Sequence, residues 1–253
     1  MDVCRVHTSA LLLPGAFFPR EDQLLNIITW LFEATLHFGS KSIAVREVIG
    51  GSLGLTSAIL GARRHMWAWP VGILGDGLLF TVFLGAVFAY GDQPSANFYG
   101  QASRNLLLII VSAYGWIRWS AHKKANVGSK SPVDPRWTTA KERLILVPVI
   151  AIFFLSSMQI FKALGESGTW LLVDTWIFTG TALATYGMSR GYVEFWLVWI
   201  AVDLVGVPFA FKNGYYPTGT LYAIYLPFVI WGFISWLRIS RNQENGLPQA
   251  VRA

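Results

Sequence analysis

Apolar residues recur along this chain in two patterns. From Asp22 to Phe38 they fall at helical spacing, at Leu24, Leu25, Ile28, Leu31, Phe32 and Leu36, with polar residues between them. That pattern predicts an amphipathic helix lying in a membrane interface. Beyond residue 43 the apolar runs lengthen to about 20 residues, enough to cross a hydrocarbon layer ~30 Å thick. Seven spans are predicted, at 43–62, 67–89, 98–119, 144–163, 170–189, 192–211 and 218–237. The longest polar connection separates the third span from the fourth. It is strongly basic, with His122-Lys-Lys124, Lys130, Arg136, Lys141 and Arg143. Residues 1–20 read as a disordered arm, because the short run Ala10-Leu-Leu-Leu is broken by Pro14 and Pro19.

Composition turns this pattern into a fold class. Of 253 residues, 54% are hydrophobic and only 13% charged, against about 25% charged in a soluble domain. Mean hydropathy is +0.47. The chain reads as an all-α integral membrane protein. Its single cysteine, Cys4, excludes an intrachain disulfide and any cysteine-based zinc site. The net charge of +6 gathers at predicted membrane edges rather than on one face, so no nucleic-acid partner is expected. Basic residues are denser on the side that holds the C-terminus. The positive-inside rule therefore predicts a cytoplasmic C-terminus and an N-terminus outside.

A repeat suggests the architecture. A shift of 127 residues lays Arg63 on Arg190, Trp69 on Trp196, Ile73 on Ile200, Asp76 on Asp203 and Glu47 on Asp174. With a shorter second loop, Gly115-Trp-Ile-Arg-Trp119 falls on Gly232-Phe-Ile-Ser-Trp236. Two parallel three-helix repeats joined by one linker helix, a 3+1+3 arrangement, account for this. Parallel repeats bind substrate near the midplane between them. The domain expectation follows: residues 1–42 as arm and interfacial helix, 43–120 as the first repeat, 121–165 as basic loop and linker helix. The second repeat is 166–240 and a cytoplasmic tail is 241–253.

The chemistry-bearing residues lie inside these spans. Trp196, Trp199 and Asp203 share one helical face, and Asp203 falls roughly 16 Å from Tyr192 at 1.5 Å per residue. An ionisable side chain at that depth is costly and marks a functional site. Asp76, its mate in the repeat, should face it across the pseudo-axis. Gln101 and Asn105 are neighbours at i, i+4, and Tyr222 and Tyr225 at i, i+3. Aromatic walls with amide and carboxylate groups at the ends make a slot suited to a flat ring joined to a polyol, and a cationic ring would also stack on indole. Trp67, Trp116, Trp119, Trp170 and Trp236 read as interface anchors, and Arg104 as a side chain that snorkels to the outer surface. Gly50, Gly51, Gly54 and Gly61 read as sites of close helix approach.

No catalytic signature is present: there is no Walker A sequence, no His-Glu-x-x-His and no Gly-x-Ser-x-Gly. Glu33 and His37 alone are too few for a metal site. The expectation is a non-enzyme without metal or cofactor.

Trp67-Ala-Trp-Pro70, Tyr114-Gly-Trp-Ile-Arg-Trp119, Asp174-Thr-Trp176, Ser189-Arg-Gly-Tyr-Val-Glu-Phe-Trp196 and Trp199-x-x-x-Asp203 resemble the PnuC-type vitamin transporters. The resemblance runs from Glu47 to Trp236. It implies a SWEET-like 3+1+3 fold, a homotrimer in membrane lipid, and facilitated diffusion without ion or ATP coupling. It further implies nicotinamide riboside as substrate, a precursor for NAD salvage trapped by a separate cytoplasmic kinase. The substrate contacts it implies are Gln101, Asn105, Trp196, Trp199, Asp203, Tyr222 and Tyr225. The alternatives are a carrier of thiamine or another vitamin or nucleoside in the same family, which also includes members resembling riboflavin carriers, and a non-transporting sensor or scaffold that recruits a partner through the basic loop.

Overall fold

The computed structural model describes residues 21–38, 41–84, 99–126, 131–212 and 216–246. The expected arm (1–20), the end of the second span (85–89), Lys130 and most of the tail lie outside them.

Helix α1 (Glu21–Glu33) exposes Leu25, Ile27 and Trp30. It is shorter than the pattern predicts. At Thr35 the chain becomes a strand, β1 (Thr35–Phe38), paired antiparallel with β2 (Lys41–Ala44) in the register Thr35 to Ala44 and Phe38 to Lys41. The β-branched and aromatic residues Thr35, Phe38 and Ile43 suit a pleated ribbon, and cross-strand hydrogen bonding outweighs a weak helical tail.

Among the described residues seven further helices follow: α2 (Val45–Ala62), α3 (Ala68–Phe83), α4 (Tyr99–Ala125), α5 (Ala140–Ala163), α6 (Gly168–Arg190), α7 (Phe195–Lys212) and α8 (Tyr216–Glu244). Among the described residues, three stretches are long and apolar enough to cross a membrane: α5, α7 and Gly219–Gln243 of α8. Helix α3 is apolar but shorter, and the residues after Leu84 are not described. Helix α6 carries four threonines whose hydroxyls donate to carbonyls one turn back, Thr175 to Leu171, Thr179 to Thr175, Thr181 to Ile177 and Thr185 to Thr181. Such internal bonds lower the cost of a hydroxyl away from water.

Helix α3 packs between α2 and α4, and α7 packs between α6 and α8. The two groups meet where α4 contacts α6 and α2 contacts α8, while α5 leans on α6 with an exposed apolar outer row that includes Leu144, Ile145, Val147 and Ile152. Helices α2 and α3 touch backbone to backbone. A Cβ on Gly75 would stand 2.9 Å from the Gly50 carbonyl and 3.1 Å from the Gly54 nitrogen, so only glycine fits there.

One layer of four indoles joins the two groups. Trp69 lies against Gly115 and edge-on to Trp119 at 5.0 Å; Trp196 lies against Gly232 and edge-on to Trp236 at 5.5 Å. The Trp119 Nε1–H donates across the groups to the Ser189 carbonyl at 3.2 Å, and the Trp236 Nε1–H to the Ala62 carbonyl at 3.1 Å. Each contact in one group thus has its counterpart in the other. Trp119 and Trp236 are 1% and 0% exposed, which overturns their reading as interface anchors. An indole edge-packed on a second indole, with a carbonyl of the opposite helix group in reach of its N–H, is better placed inside than in a headgroup layer. Trp67, Trp116 and Trp170 remain exposed.

Beneath the indoles runs an extended strap, residues 131–139. Its Arg136 exchanges backbone bonds with the α6–α7 turn, N–H to the Gly191 carbonyl at 2.8 Å and carbonyl from Val193 N–H at 3.0 Å. The Arg136 guanidinium makes two bonds to Glu142, at 2.8 and 2.6 Å, and the Tyr192 hydroxyl donates to the same carboxylate at 2.7 Å. Glu194 accepts from the Thr138 hydroxyl and pairs with Arg143. The turn exists because Gly191 adopts φ 80°, ending α6 in the left-handed conformation that glycine tolerates.

Candidate functional site

Above the indole layer the two helix groups enclose a cavity of about 190 Å³. Its walls carry Asp76 from α3, Arg104 and Asn105 from α4, Trp199 and Asp203 from α7, and Tyr222 and Tyr225 from α8. Helix α2 contributes Gly51, Gly54 and Ser57, and α6 contributes Thr181 and Thr185. The aromatic wall is braced from behind. The Tyr225 hydroxyl donates to the Gly51 carbonyl at 3.1 Å, in a space that a Cβ on Gly54 would fill. The Tyr222 ring lies on Gly206, and its hydroxyl accepts from Arg104 Nη1 at 3.2 Å. Trp199 meets Trp196 edge-on at 5.3 Å, which fixes the indole that faces the cavity.

Asp203 is 6% exposed and lines the cavity without a hydrogen-bond partner among the described residues. Asp76 joins it from the opposite helix group. Asn105, 1% exposed, is oriented by its own helix, donating Nδ2–H to the Gln101 carbonyl at 2.8 Å. The arrangement brings aromatic rings, two carboxylates, an amide and a guanidinium to the wall of one cavity. Among the described residues no group of three histidine, cysteine or acidic side chains stands close enough to hold a metal.

Five of the seven residues singled out in the sequence line this cavity: Asn105, Trp199, Asp203, Tyr222 and Tyr225. Gln101 instead lines a small adjoining pocket with Phe161, Asp174, Ile177 and Phe178. Trp196 is 2% exposed and sits in the indole layer, one step behind Trp199. Sequence reasoning placed Arg104 at the outer surface, and that is corrected here: Arg104 lines both the cavity and the adjoining pocket. The Tyr222 hydroxyl holds it inward. Its position three residues after Gln101 and beside Asn105 was the available signal. Trp69 and Ser57 also line the cavity, and no pattern within one segment marks them: Ser57 is set by its bond to the Ala68 carbonyl, and Trp69 by Gly115 on α4.

Near the adjoining pocket, the loop between α5 and α6 carries Glu166. Burial first, and the charge of Asp174 second, push its carboxyl up to about 7.

A membrane-type helical bundle with an aromatic, carboxylate-bearing cavity defines the class, an integral membrane protein. Comparison with known proteins then gives the family. The family model described as nicotinamide mononucleotide transporter matches residues 44–238. The chain belongs to this family, the PnuC family. The riboflavin/roseoflavin transporter RibM of Streptomyces davaonensis is 33% identical over 89% of this chain and 100% of its own length. The nicotinamide riboside transporter PnuC of Escherichia coli is 20% identical over 82% of this chain and 91% of its own. A solved structure, that of the vitamin B3 transporter PnuC, shares the fold with a TM-score of 0.62 at 18% identity, covering 86% of this chain and 88% of that one.

Proposed function

We propose that this chain is a facilitative carrier for a vitamin made of a flat ring and a ribose or ribityl chain, with riboflavin as its cargo. The observation that carries the choice is the 33% identity to a riboflavin transporter over that protein's whole length. The cavity supports the class: Trp199 and the two tyrosines offer stacking faces, while Asp203, Asp76 and Asn105 offer partners for hydroxyls. Two carboxylates against one guanidinium also disfavour a dianionic phosphate, since like charges in a poorly solvated cavity repel strongly. The free vitamin therefore crosses and its phosphate does not, and a separate cytoplasmic kinase traps it.

Nicotinamide riboside is the second reading, favoured by those same carboxylates, which suit a cationic pyridinium ring. In either case the cargo moves between two parallel three-helix repeats, α2–α4 and α6–α8, with α5 as linker. The protein works as a homotrimer in a bacterial inner membrane, its N-terminus outside and its C-terminus cytoplasmic. The doubled contacts of the indole layer, within one chain, support the pairing of the two repeats.

Calorimetric titration of the detergent-purified protein with riboflavin, nicotinamide riboside and thiamine tests the proposal. Saturable binding of riboflavin at least tenfold tighter than the others, about 1.4 kcal/mol, is the expected result. Preference for nicotinamide riboside would select the second reading. Folded protein that binds none of the three would favour the sensor class.

A further inference from the structure

We propose that Arg104 is the specificity residue of this cavity, selecting a neutral, carbonyl-rich ring over a cationic one. The inference rests on reading the cavity as the substrate site. Arg104 is the one basic residue among its lining residues and stands where the cavity meets the pocket of Gln101 and Asp174. Among the described residues its guanidinium is held from one side only: Nη1 donates to the Tyr222 hydroxyl at 3.2 Å, tying α4 to α8. Its charge is felt at Asp76 on α3 and Asp174 on α6. Yet among the described residues it forms no ion pair within 4 Å with either. A guanidinium carries five donors in a fixed planar fork. One is committed to Tyr222, so the others are free to meet a ligand.

A fork of N–H donors matches two acceptors side by side on the edge of a ring, as arginine matches the paired acceptors of guanine. The isoalloxazine ring of a flavin carries such an edge, with carbonyl and ring-nitrogen acceptors in one plane. A pyridinium or thiazolium ring offers less to the fork and brings a positive charge towards a positive charge. The two carboxylates pull the other way. Arg104 thus shifts the discrimination towards the neutral ring: with it the wall formally carries one net negative charge, and without it two. This also accounts for retaining an arginine inside an apolar bundle, where an idle charge is expensive.

The test compares wild-type protein with Arg104→Gln and Arg104→Lys, each titrated with riboflavin, thiamine and nicotinamide riboside. Thermal melts check that each variant is folded. Arg104→Gln should weaken riboflavin by roughly tenfold or more, the scale of a hydrogen bond to a charged group, and should strengthen both cationic ligands. Arg104→Lys keeps the charge and loses the fork. It should weaken riboflavin while leaving the cationic ligands unimproved, and it keeps the proposal testable if the glutamine variant does not fold. Equal changes for neutral and cationic ligands, or no change, would overturn the role of Arg104 while wild-type binding left the cavity intact as the site. Folded wild-type protein that binds none of the three would overturn both.

Discussion

Gly115 and Gly232 each lie under an indole ring, Trp69 on one and Trp196 on the other. A side chain at either position would displace a ring that is 1% or 2% exposed. Overpacking of this kind costs about 1–3 kcal/mol, so Gly232→Val should lower the melting temperature in detergent while Gly77→Val, which meets open space, leaves it unchanged. Trp199 and Trp196 separate by the same logic. Trp199→Ala should weaken ligand binding by about 1–3 kcal/mol, the scale of stacking a base on an aromatic side chain. Trp196→Phe should act chiefly on stability, because its ring fills the indole layer instead of the cavity wall. Calorimetry and thermal unfolding on both variants read the two effects apart. Both tryptophans are visible in the sequence as one helical face. Which of the two reaches the ligand depends on Gly232 across the α7–α8 contact, thirty-six residues away in the chain.

Among the elements, the strap over residues 131–139 is the one whose role no periodicity announces. The sequence shows a basic polar connection, and basic loops are usually solvated. Here Arg136 finds Glu142 and Tyr192, and Thr138 and Arg143 find Glu194. The Glu142 pairing also raises the Arg136 pKa, so the guanidinium stays charged throughout the working range. One carboxylate also completes the α5 cap, since Thr139 and Glu142 form a reciprocal capping box. Glu142→Gln removes the charge from both jobs. It should destabilise the protein by about 1–2 kcal/mol, less than a fully buried charged bond because Arg136 is partly exposed. Faster proteolysis within 131–139, with ligand affinity preserved, is the accompanying expectation, read by limited digestion. The capping box was legible as Thr-x-x-Glu; the clamp was not, because its partners lie on the turn that Gly191 makes after α6.

At the scale of the whole molecule, pH acts through Glu166. Its carboxyl is raised to about 7 by burial and by Asp174, so the folded protein holds a proton that the unfolded chain, with an ordinary carboxyl near 4.5, gives up. Stability from this group is full below that ordinary value and declines as pH rises through about 7. Melting temperature should fall between pH 5 and pH 8, and Glu166→Gln should flatten the fall. A variant with the same slope as wild type would show that another group is responsible. The helical class and the approximate limits of every described membrane helix follow from hydropathy and spacing, and the doubling follows from Trp69, Asp76, Trp196 and Asp203 in one frame. These are local or periodic properties, carried by each segment without its neighbours. Tertiary structure alone decided that Trp119 and Trp236 turn inward to donate to carbonyls of the opposite helix group, that Gln101 faces a side pocket, and that Arg104 bends to Tyr222 and enters the cavity. For the tryptophans and Arg104, a carbonyl or a hydroxyl on a distant helix sets the direction of the side chain, and no pattern within one segment encodes the position of its partner.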